Sequence, residues 1–119
     1  MGFISIEKGN IVFQTVDQAV DIITEALVNE KEIWINRDNE NPCMAICVNG
    51  EYAAITYFNG EDMWLSYNKD NMVRVTFQAG GEEWIPDQDV VISINDMFSC
   101  VKEFIETNQR PTCIQWQEL

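Results

Sequence analysis

Apolar residues in the first part of the chain recur with two different periods. Two short apolar runs, residues 3–6 and 11–14, flank the polar segment 7–10 and predict an opening β-hairpin. From Thr15 onward the period becomes helical, and Thr15 is a residue type that caps helices. The apolar positions of this helix share one side: Ala19, Val20, Ile23, Ala26 and Leu27. The pattern therefore predicts an amphipathic helix that buries one face.

The middle of the chain has the alternation of β-strands separated by tight turns. Asn49-Gly50 is the strongest turn signal, because a primed two-residue turn requires residues that tolerate positive φ. With these two residues as the loop, Val48 is predicted to pair with Glu51. Asn59-Gly60 predicts the next hairpin in the same way. The strands around residues 49–50 are apolar on both faces, which predicts a central place in the sheet with cover on both sides.

The segment that follows changes character twice. Residues 73–78 alternate between apolar and polar side chains and predict a strand with one face in water. Residues 79–83 are rich in glycine and glutamate and predict an acidic, flexible stretch that continues to Asp89. Residues 90–94 fit either a short strand or the approach to a helix, and the sequence leaves both open.

A second helix is predicted to begin at Asn95 or Asp96. Its apolar positions have helical spacing: Ile94, Met97, Phe98, Val101, Phe104 and Ile105. Asn108 suits a left-handed C-terminal cap, Pro111 prevents further helix, and residues 112–116 return as a final strand. Together these elements predict an α+β fold, a mostly antiparallel β-sheet with two amphipathic helices packed against it. Because no segment has the composition of a linker, we expect a single domain over residues 1–119.

The charge balance restricts the possible partners. The 119 residues contain 7 Lys and Arg, 20 Asp and Glu and no His, for a net charge of −13. Nucleic acid is a poor partner for such a surface, since phosphate binding depends on basic side chains. Without histidine, the Ser-His-Asp triad, the Cys-His pair and His-ligated zinc are excluded. The charge favours a basic protein partner, whose encounter rate it raises by about 10-fold to 1000-fold.

The start of the chain and its cysteines indicate a reducing compartment. The first residues lack the basic start and apolar core of a secretory signal, and no run approaches the roughly 20 apolar residues of a membrane helix. We therefore expect a cytoplasmic protein with no membrane partner. The four cysteines lack the paired two-residue gaps of a zinc site and are expected as buried, reduced thiols: Cys43, Cys47, Cys100 and Cys113. Neither a metal nor another cofactor is expected.

Acidic residues supply the candidate chemistry. A catalytic carboxylate pair is disfavoured because the paired acids are adjacent in sequence, and neighbours in extended chain point to opposite faces. Calcium is disfavoured because the acidic segment lacks the pattern of a calcium loop. Three tryptophans have apolar neighbours and are expected in the core, whereas Trp84, among acids, has the setting of a binding anchor. The candidate binding face is therefore Glu61, Asp62, Glu82, Glu83, Trp84, Asp87 and Asp89.

The C-terminal third of the chain resembles the end of a known family. The helix 96–107, the segment Asn108-Gln109-Arg110-Pro111 and the strand Cys113-Ile114-Gln115-Trp116 are similar to the closing segments of the first immunity-protein family of bacterial polymorphic toxin systems. Further matches are Asn41-Pro42, the hairpin at residues 49–50 and the segment 81–86. The similarity extends loosely from Thr15 onward, with Asn108 standing where the family has Gly.

The resemblance implies a small cytoplasmic immunity protein, without catalytic residues, that binds and blocks the C-terminal domain of a cognate toxin, as in contact-dependent growth inhibition. It implies that Pro111 and Trp116 determine the fold. Together with the net negative charge, the resemblance gives the leading hypothesis: a non-enzymatic monomer or homodimer whose acidic face occludes the active site of a basic nuclease or deaminase. Two alternatives stay open. One is an acidic nucleic-acid mimic or adaptor that binds a host protein, and the other is a small enzyme or ligand-binding domain.

Overall fold

The computed structural model describes residues 2–119, in which two helices accompany a set of mostly short strands. The elements in chain order are β1 (Gly2–Ile6), β2 (Gly9–Phe13), α1 (Val16–Ala26), β3 (Glu32–Asn36), β4 (Cys43–Asn49), β5 (Tyr52–Asn59), β6 (Asp62–Tyr67), β7 (Phe77–Ala79), β8 (Glu82–Trp84), a 3₁₀ helix (Gln88–Val90), β9 (Ile92–Ser93), α2 (Ile94–Thr107) and β10 (Gln115–Glu118).

The main sheet is antiparallel and has the strand order β10-β6-β5-β4-β3-β1-β2. The short strand β9 pairs with the beginning of β5, beside β6. Strands β7 and β8 form a separate two-stranded hairpin. With two helices and a mostly antiparallel sheet, the α+β prediction is confirmed, and the hairpin β4–β5 lies at the centre as expected. Within residues 2–119, neither helix is long and apolar enough to cross a bilayer.

Both helices pack on one face of the sheet, where the apolar positions of alternating strand residues meet them. Thr15 caps α1 as predicted, since its Oγ1 accepts a hydrogen bond from the Gln18 backbone at 3.1 Å. Asn108 has φ of 54° and ends α2 in the left-handed conformation, also as predicted. Fully buried residues of this face include Ile4, Ile23, Ile33, Ile35, Met44, Ile46, Ile55, Met97 and Phe104.

An aromatic cluster closes the helix-facing core near the C-terminus. Tyr57 lies at its centre, with ring centroids 5.7 Å from Trp64, 6.3 Å from Phe104 and 6.1 Å from Trp116. The Trp116 indole N–H donates to the Pro111 carbonyl at 2.8 Å. Trp116 therefore packs the returning strand against the core, in the role that the resemblance implied.

The hairpin after β4 differs from the predicted register by two residues. Asn49 pairs with Tyr52 and Val48 with Ala53, so the loop is Gly50-Glu51. Gly50 has φ of +61°, and Asn49 is not among the residues with positive φ. A II′ turn requires positive φ only at its first central residue, and glycine takes that place. Because the shift is even, each side chain stays on the face that the sequence predicted.

The predicted strand 73–78 and the flexible stretch after it are wrong in part. Only Phe77–Ala79 form a strand, and its partner β8 ends at Trp84. Pro86 follows, and proline has no N–H with which to extend the ladder. Glu82 and Glu83, expected in a flexible stretch, instead lie in β8, because consecutive glycines with positive φ make a tight turn before them.

The C-terminal elements are also displaced from their predicted bounds. Helix α2 begins at Ile94, one residue early, because the Ser93 hydroxyl caps it by accepting from the Asp96 N–H at 3.1 Å. Strand β10 begins at Gln115 rather than at residue 112. The Thr112 N–H and hydroxyl both donate to the Glu103 carboxylate, which diverts this segment from the sheet.

Ser66 is the one fully buried polar side chain of residues 2–119, and it fills the point where β6 and β9 share the edge of β5. Its hydroxyl accepts from the Ile55 N–H at 3.0 Å and donates to the Val90 carbonyl at 2.7 Å.

The variant Ser66→Ala leaves both backbone groups without this partner, so we expect a loss of about 1–3 kcal/mol in the free energy of unfolding, measured in urea. The matched variant Ser99→Ala, at an exposed position of α2, should stay within about 0.5 kcal/mol of the wild type. Equal stability of both variants would contradict this role of Ser66.

Candidate functional site

The second face of the sheet is covered over only part of its area. The segment 68–91 leaves the sheet after β6, crosses this face and returns at β9. Its apolar side chains bury a smaller second cluster: Cys47, Ala54, Val75, Phe77, Val90 and Val91. The rest of this face, on β3 and the far parts of β4 and β5, stays partly open beside the β7–β8 hairpin.

A cleft of about 360 Å³ lies between the β7–β8 hairpin and the open part of the face. We call it the acidic cleft and define it by its lining residues: Glu32, Trp34, Ala45, Cys47, Thr56, Phe58, Ala79, Glu82, Glu83 and Trp84. The strands β3, β4 and β5 supply one side through alternate residues that share a face. The hairpin supplies the other side.

An aromatic pair dominates the sheet side of the acidic cleft. The rings of Trp34 and Phe58 stack with centroids 5.5 Å apart and planes 12° apart. Trp34 is 38% exposed, although the sequence pattern predicted it in the core. Trp84, predicted as a displayed anchor, is instead half-buried and packs on Phe77 with centroids 6.1 Å apart. The exposed indole of this face therefore belongs to Trp34, and exposed aromatic side chains are frequent anchors of protein interfaces.

No carboxylate that lines the acidic cleft forms an ion pair within residues 2–119. Glu32, Glu82 and Glu83 line it, and no basic side chain of residues 2–119 does. The ion pair found within residues 2–119, between Arg37 and Asp38 at 3.8 Å, lies outside the lining of the acidic cleft. The cleft therefore carries uncompensated negative charge next to an apolar ring surface, an arrangement that attracts cationic groups.

Glu32 fixes the hairpin to the sheet. One oxygen of its carboxylate accepts from the Gly80 N–H at 3.1 Å, and the other faces the Cys47 thiol at 4.0 Å. A second anchor is the Asn49 amide, which donates to the Thr76 carbonyl at 2.8 Å. These two contacts position Glu82 and Glu83 over the sheet.

The thiols of the cleft region are unsuited to nucleophilic chemistry. Burial, and secondarily the Glu32 carboxylate, raises the pKa of Cys47 to about 12. Burial, with a smaller contribution from Glu40, also raises the pKa of Cys43. Both thiols are protonated at neutral pH, and the thiolate is the reactive form. Within the described residues 2–119, no group of three His, Cys, Asp or Glu is arranged to hold a metal ion.

A second groove, of about 500 Å³, continues the surface on the other side of the hairpin turn. Glu32 and Trp34 line both, so the two depressions are contiguous at these residues. Glu7 and Glu30 add further acids to the second groove, and Lys31 is the cation in its lining.

The structure brings together three of the seven residues that the sequence assigned to the binding face. Glu82, Glu83 and Trp84 line the acidic cleft. The other four lie outside its lining: Glu61 and Asp62 at the β5–β6 turn, and Asp87 and Asp89 at the 3₁₀ helix. Sequence reasoning missed Glu32, Trp34 and Phe58. The available signal was the alternation in β3, which places Glu32 and Trp34 on one face, but nothing local indicates that this face is open.

Comparison with known proteins gives one clear relationship. No curated protein matches the chain in a sequence search. The family model described as Immunity protein Imm1 matches residues 11–118, from within β2 to the end of β10. This range contains every segment that carried the resemblance to an immunity-protein family. With nearly the whole chain matched, the protein belongs to the Imm1 family of immunity proteins.

Proposed function

We propose that the protein binds the C-terminal domain of a cognate toxin through the acidic cleft and covers the toxin's active site, without catalysis of its own. Membership in the Imm1 family supports an immunity role. The observation that carries the proposal is the set of uncompensated carboxylates beside the exposed stack of Trp34 on Phe58. Such a surface fits a basic toxin domain, as nuclease and deaminase domains are, in a cytoplasmic complex.

Charge accounts for the approach of the partner. A net charge of −13 attracts a basic domain over several ångströms and favours productive encounters. Glu61, Asp62, Asp87 and Asp89 contribute to this net charge, although they do not line the cleft. Charges outside the buried part of an interface act on the rate of association more than on the lifetime of the complex.

The cleft itself accounts for the lifetime of the complex. An arginine or lysine of the toxin that enters it meets the face of Trp34 and the carboxylates of Glu82 and Glu83. Stacking on the ring and a charge-assisted hydrogen bond to a carboxylate act on the same cation. An interface of standard size, on the order of 1,600 Å² in total, would extend from the cleft over the adjoining groove.

Co-expression with the toxin domain encoded beside this gene tests the proposed function. We expect the two proteins to purify together and the purified protein to inhibit the toxin's activity at equimolar ratio. The inhibitor alone should leave the toxin's substrate unchanged. A protein that binds no neighbouring gene product, or that converts a small molecule by itself, would contradict the proposal.

Charge reversal at the hairpin should slow complex formation. For Glu82→Lys with Glu83→Lys we expect an association rate about 10-fold lower at low salt, because the field at the cleft falls. We also expect faster dissociation, because the carboxylates that hold the toxin's cation are lost. Raising the salt concentration should slow association of the wild type steeply and of the variant much less. Surface plasmon resonance measures both rates.

The matched control reverses the charge of Asp21 and Glu106, which are exposed on the two helices, on the opposite side of the sheet from the cleft. Equal slowing by the control would show that only total charge matters, and an unaffected hairpin variant would place the interface elsewhere.

A further inference from the structure

Two thiols outside the cleft lie almost in contact. Cys100 is fully buried on α2, and Cys113 is exposed in the segment that leads from the helix to β10. Their sulfur atoms are 3.4 Å apart, across a sequence separation of 13 residues. The expectation that all four cysteines are buried is therefore wrong for Cys113, and Cys43 is only half-buried. A reagent in solution can reach this pair through one sulfur only.

The fold holds Cys113 in this place by contacts on both sides of it. On the preceding side, the Thr112 hydroxyl donates to the Glu103 carboxylate at 2.9 Å, which ties the segment to α2. On the following side, the Trp116 indole N–H donates a hydrogen bond to the Pro111 carbonyl. The proximity of the two sulfurs is thus imposed by the surrounding structure. Cys43 and Cys47 have no such arrangement, since four residues of extended strand separate them by roughly 13 Å.

We propose that Cys100 and Cys113 form a disulfide site that reacts with small-molecule disulfides such as glutathione disulfide. The Cys113 thiolate attacks one sulfur of the reagent and expels one glutathione thiolate, which leaves a mixed disulfide on Cys113. The Cys100 thiolate then attacks the Cys113 sulfur and expels the second. One S–S bond breaks and one forms, two electrons pass to glutathione, and the two thiol protons end on the glutathione thiolates.

The order of the two steps follows from accessibility. Cys113 must react first, because Cys100 has no exposed surface. Burial raises the pKa of Cys100, and partial burial raises that of Cys113, so both thiolate fractions are small and both steps are slow at neutral pH. The second step needs no encounter with a reagent, because it is intramolecular between atoms already near contact. At mildly alkaline pH, where more of each thiol is ionised, we therefore expect the mixed disulfide to be resolved by Cys100. The product ties the segment before β10 to the middle of α2 and closes a loop that includes the helix end.

The experiment treats the folded protein with glutathione disulfide at mildly alkaline pH and follows intact mass and tandem mass spectra. The wild type should lose the mass of two hydrogen atoms and give one cross-linked peptide that joins Cys100 to Cys113. The variant Cys100→Ala should accumulate glutathione on Cys113, because no second thiol resolves the mixed disulfide. The variant Cys113→Ser should stay unmodified at Cys100. Circular dichroism establishes that each variant is folded.

Thermal unfolding gives an independent readout of the same bond. The oxidised wild type should melt about 5–10 °C above the same sample after reduction, because closing a loop of this length restricts the unfolded chain. Cys113→Ser treated in the same way should show no shift. A wild type that keeps glutathione on Cys113, that forms the cross-link only in denaturant, or that does not react at either cysteine would overturn the proposal.

Discussion

Replacing Trp34 with alanine is expected to weaken binding to the cognate toxin domain by roughly 30-fold to 1000-fold, as for a central interface tryptophan. The ring is 38% exposed and stacks on Phe58, so the truncation removes the apolar surface beside the cleft carboxylates. The loss should appear chiefly as faster dissociation, because the charge of the protein is unchanged. Titration calorimetry or surface plasmon resonance measures it.

Two further variants make this result specific to the cleft. Trp34→Phe keeps an aromatic ring on Phe58 and should recover much of the affinity. Val28→Ala removes apolar surface at a position that is 75% exposed and lies just beyond α1, so its affinity should match the wild type. If Trp34→Ala binds as tightly as Val28→Ala, the toxin does not contact the acidic cleft.

The variant Phe104→Ala is expected to lower the free energy of unfolding by about 3–5 kcal/mol, the largest stability effect that we foresee. Phe104 is fully buried on α2, and its ring meets Tyr57 edge to face at 6.3 Å between centroids. Truncation opens a cavity where the helix, the sheet and the aromatic cluster meet. Since small proteins have about 5–15 kcal/mol of stability, the change removes a large share of it. Urea unfolding monitored by tryptophan fluorescence measures the loss.

The control for this stability effect lies on the same helix. Lys102→Ala changes an exposed position of α2 and should stay within about 0.5 kcal/mol of the wild type. Phe104→Leu keeps most of the apolar volume and should cost clearly less than the alanine variant. A loss below about 1 kcal/mol for Phe104→Ala would mean that the helix-facing core repacks around the cavity.

The elements with local signals were predictable from the sequence. Both helices follow from the spacing of their apolar residues and from capping residues that act within one turn, as Thr15 and Asn108 do. The opening hairpin follows from two short apolar runs around a polar turn, and the central place of β4 and β5 follows from their apolar character on both faces. In each case, the information lies within a few residues of the element that it specifies.

The cleft was not predictable in the same way, because its exposure depends on distant segments. The exposure of Trp34 and Trp84 is the reverse of what their sequence neighbours indicate. Trp34 has apolar neighbours but is exposed, whereas Trp84 has acidic neighbours but is half-buried. The exposure of each ring depends on where the segment 68–91 lies on the second face of the sheet, because this segment covers Cys47 and Ala54 but not Trp34. Contacts between segments so far apart in the chain produce no periodic pattern in the sequence.

The excursion between β6 and β9 has a consequence for how such a protein diversifies. The β7–β8 hairpin joins the main sheet through hydrogen bonds from the Glu32 and Asn49 side chains and through the burial of Phe77 in one cluster with Cys47 and Ala54, and not through ladder pairing. Insertions or substitutions at its tip would therefore leave the strand register and the helix-facing core intact. Under the proposed function, changes at Glu82 and Glu83 on this segment alter which cations the cleft accepts, while Trp34 and Phe58 stay on the unchanged strands beneath it.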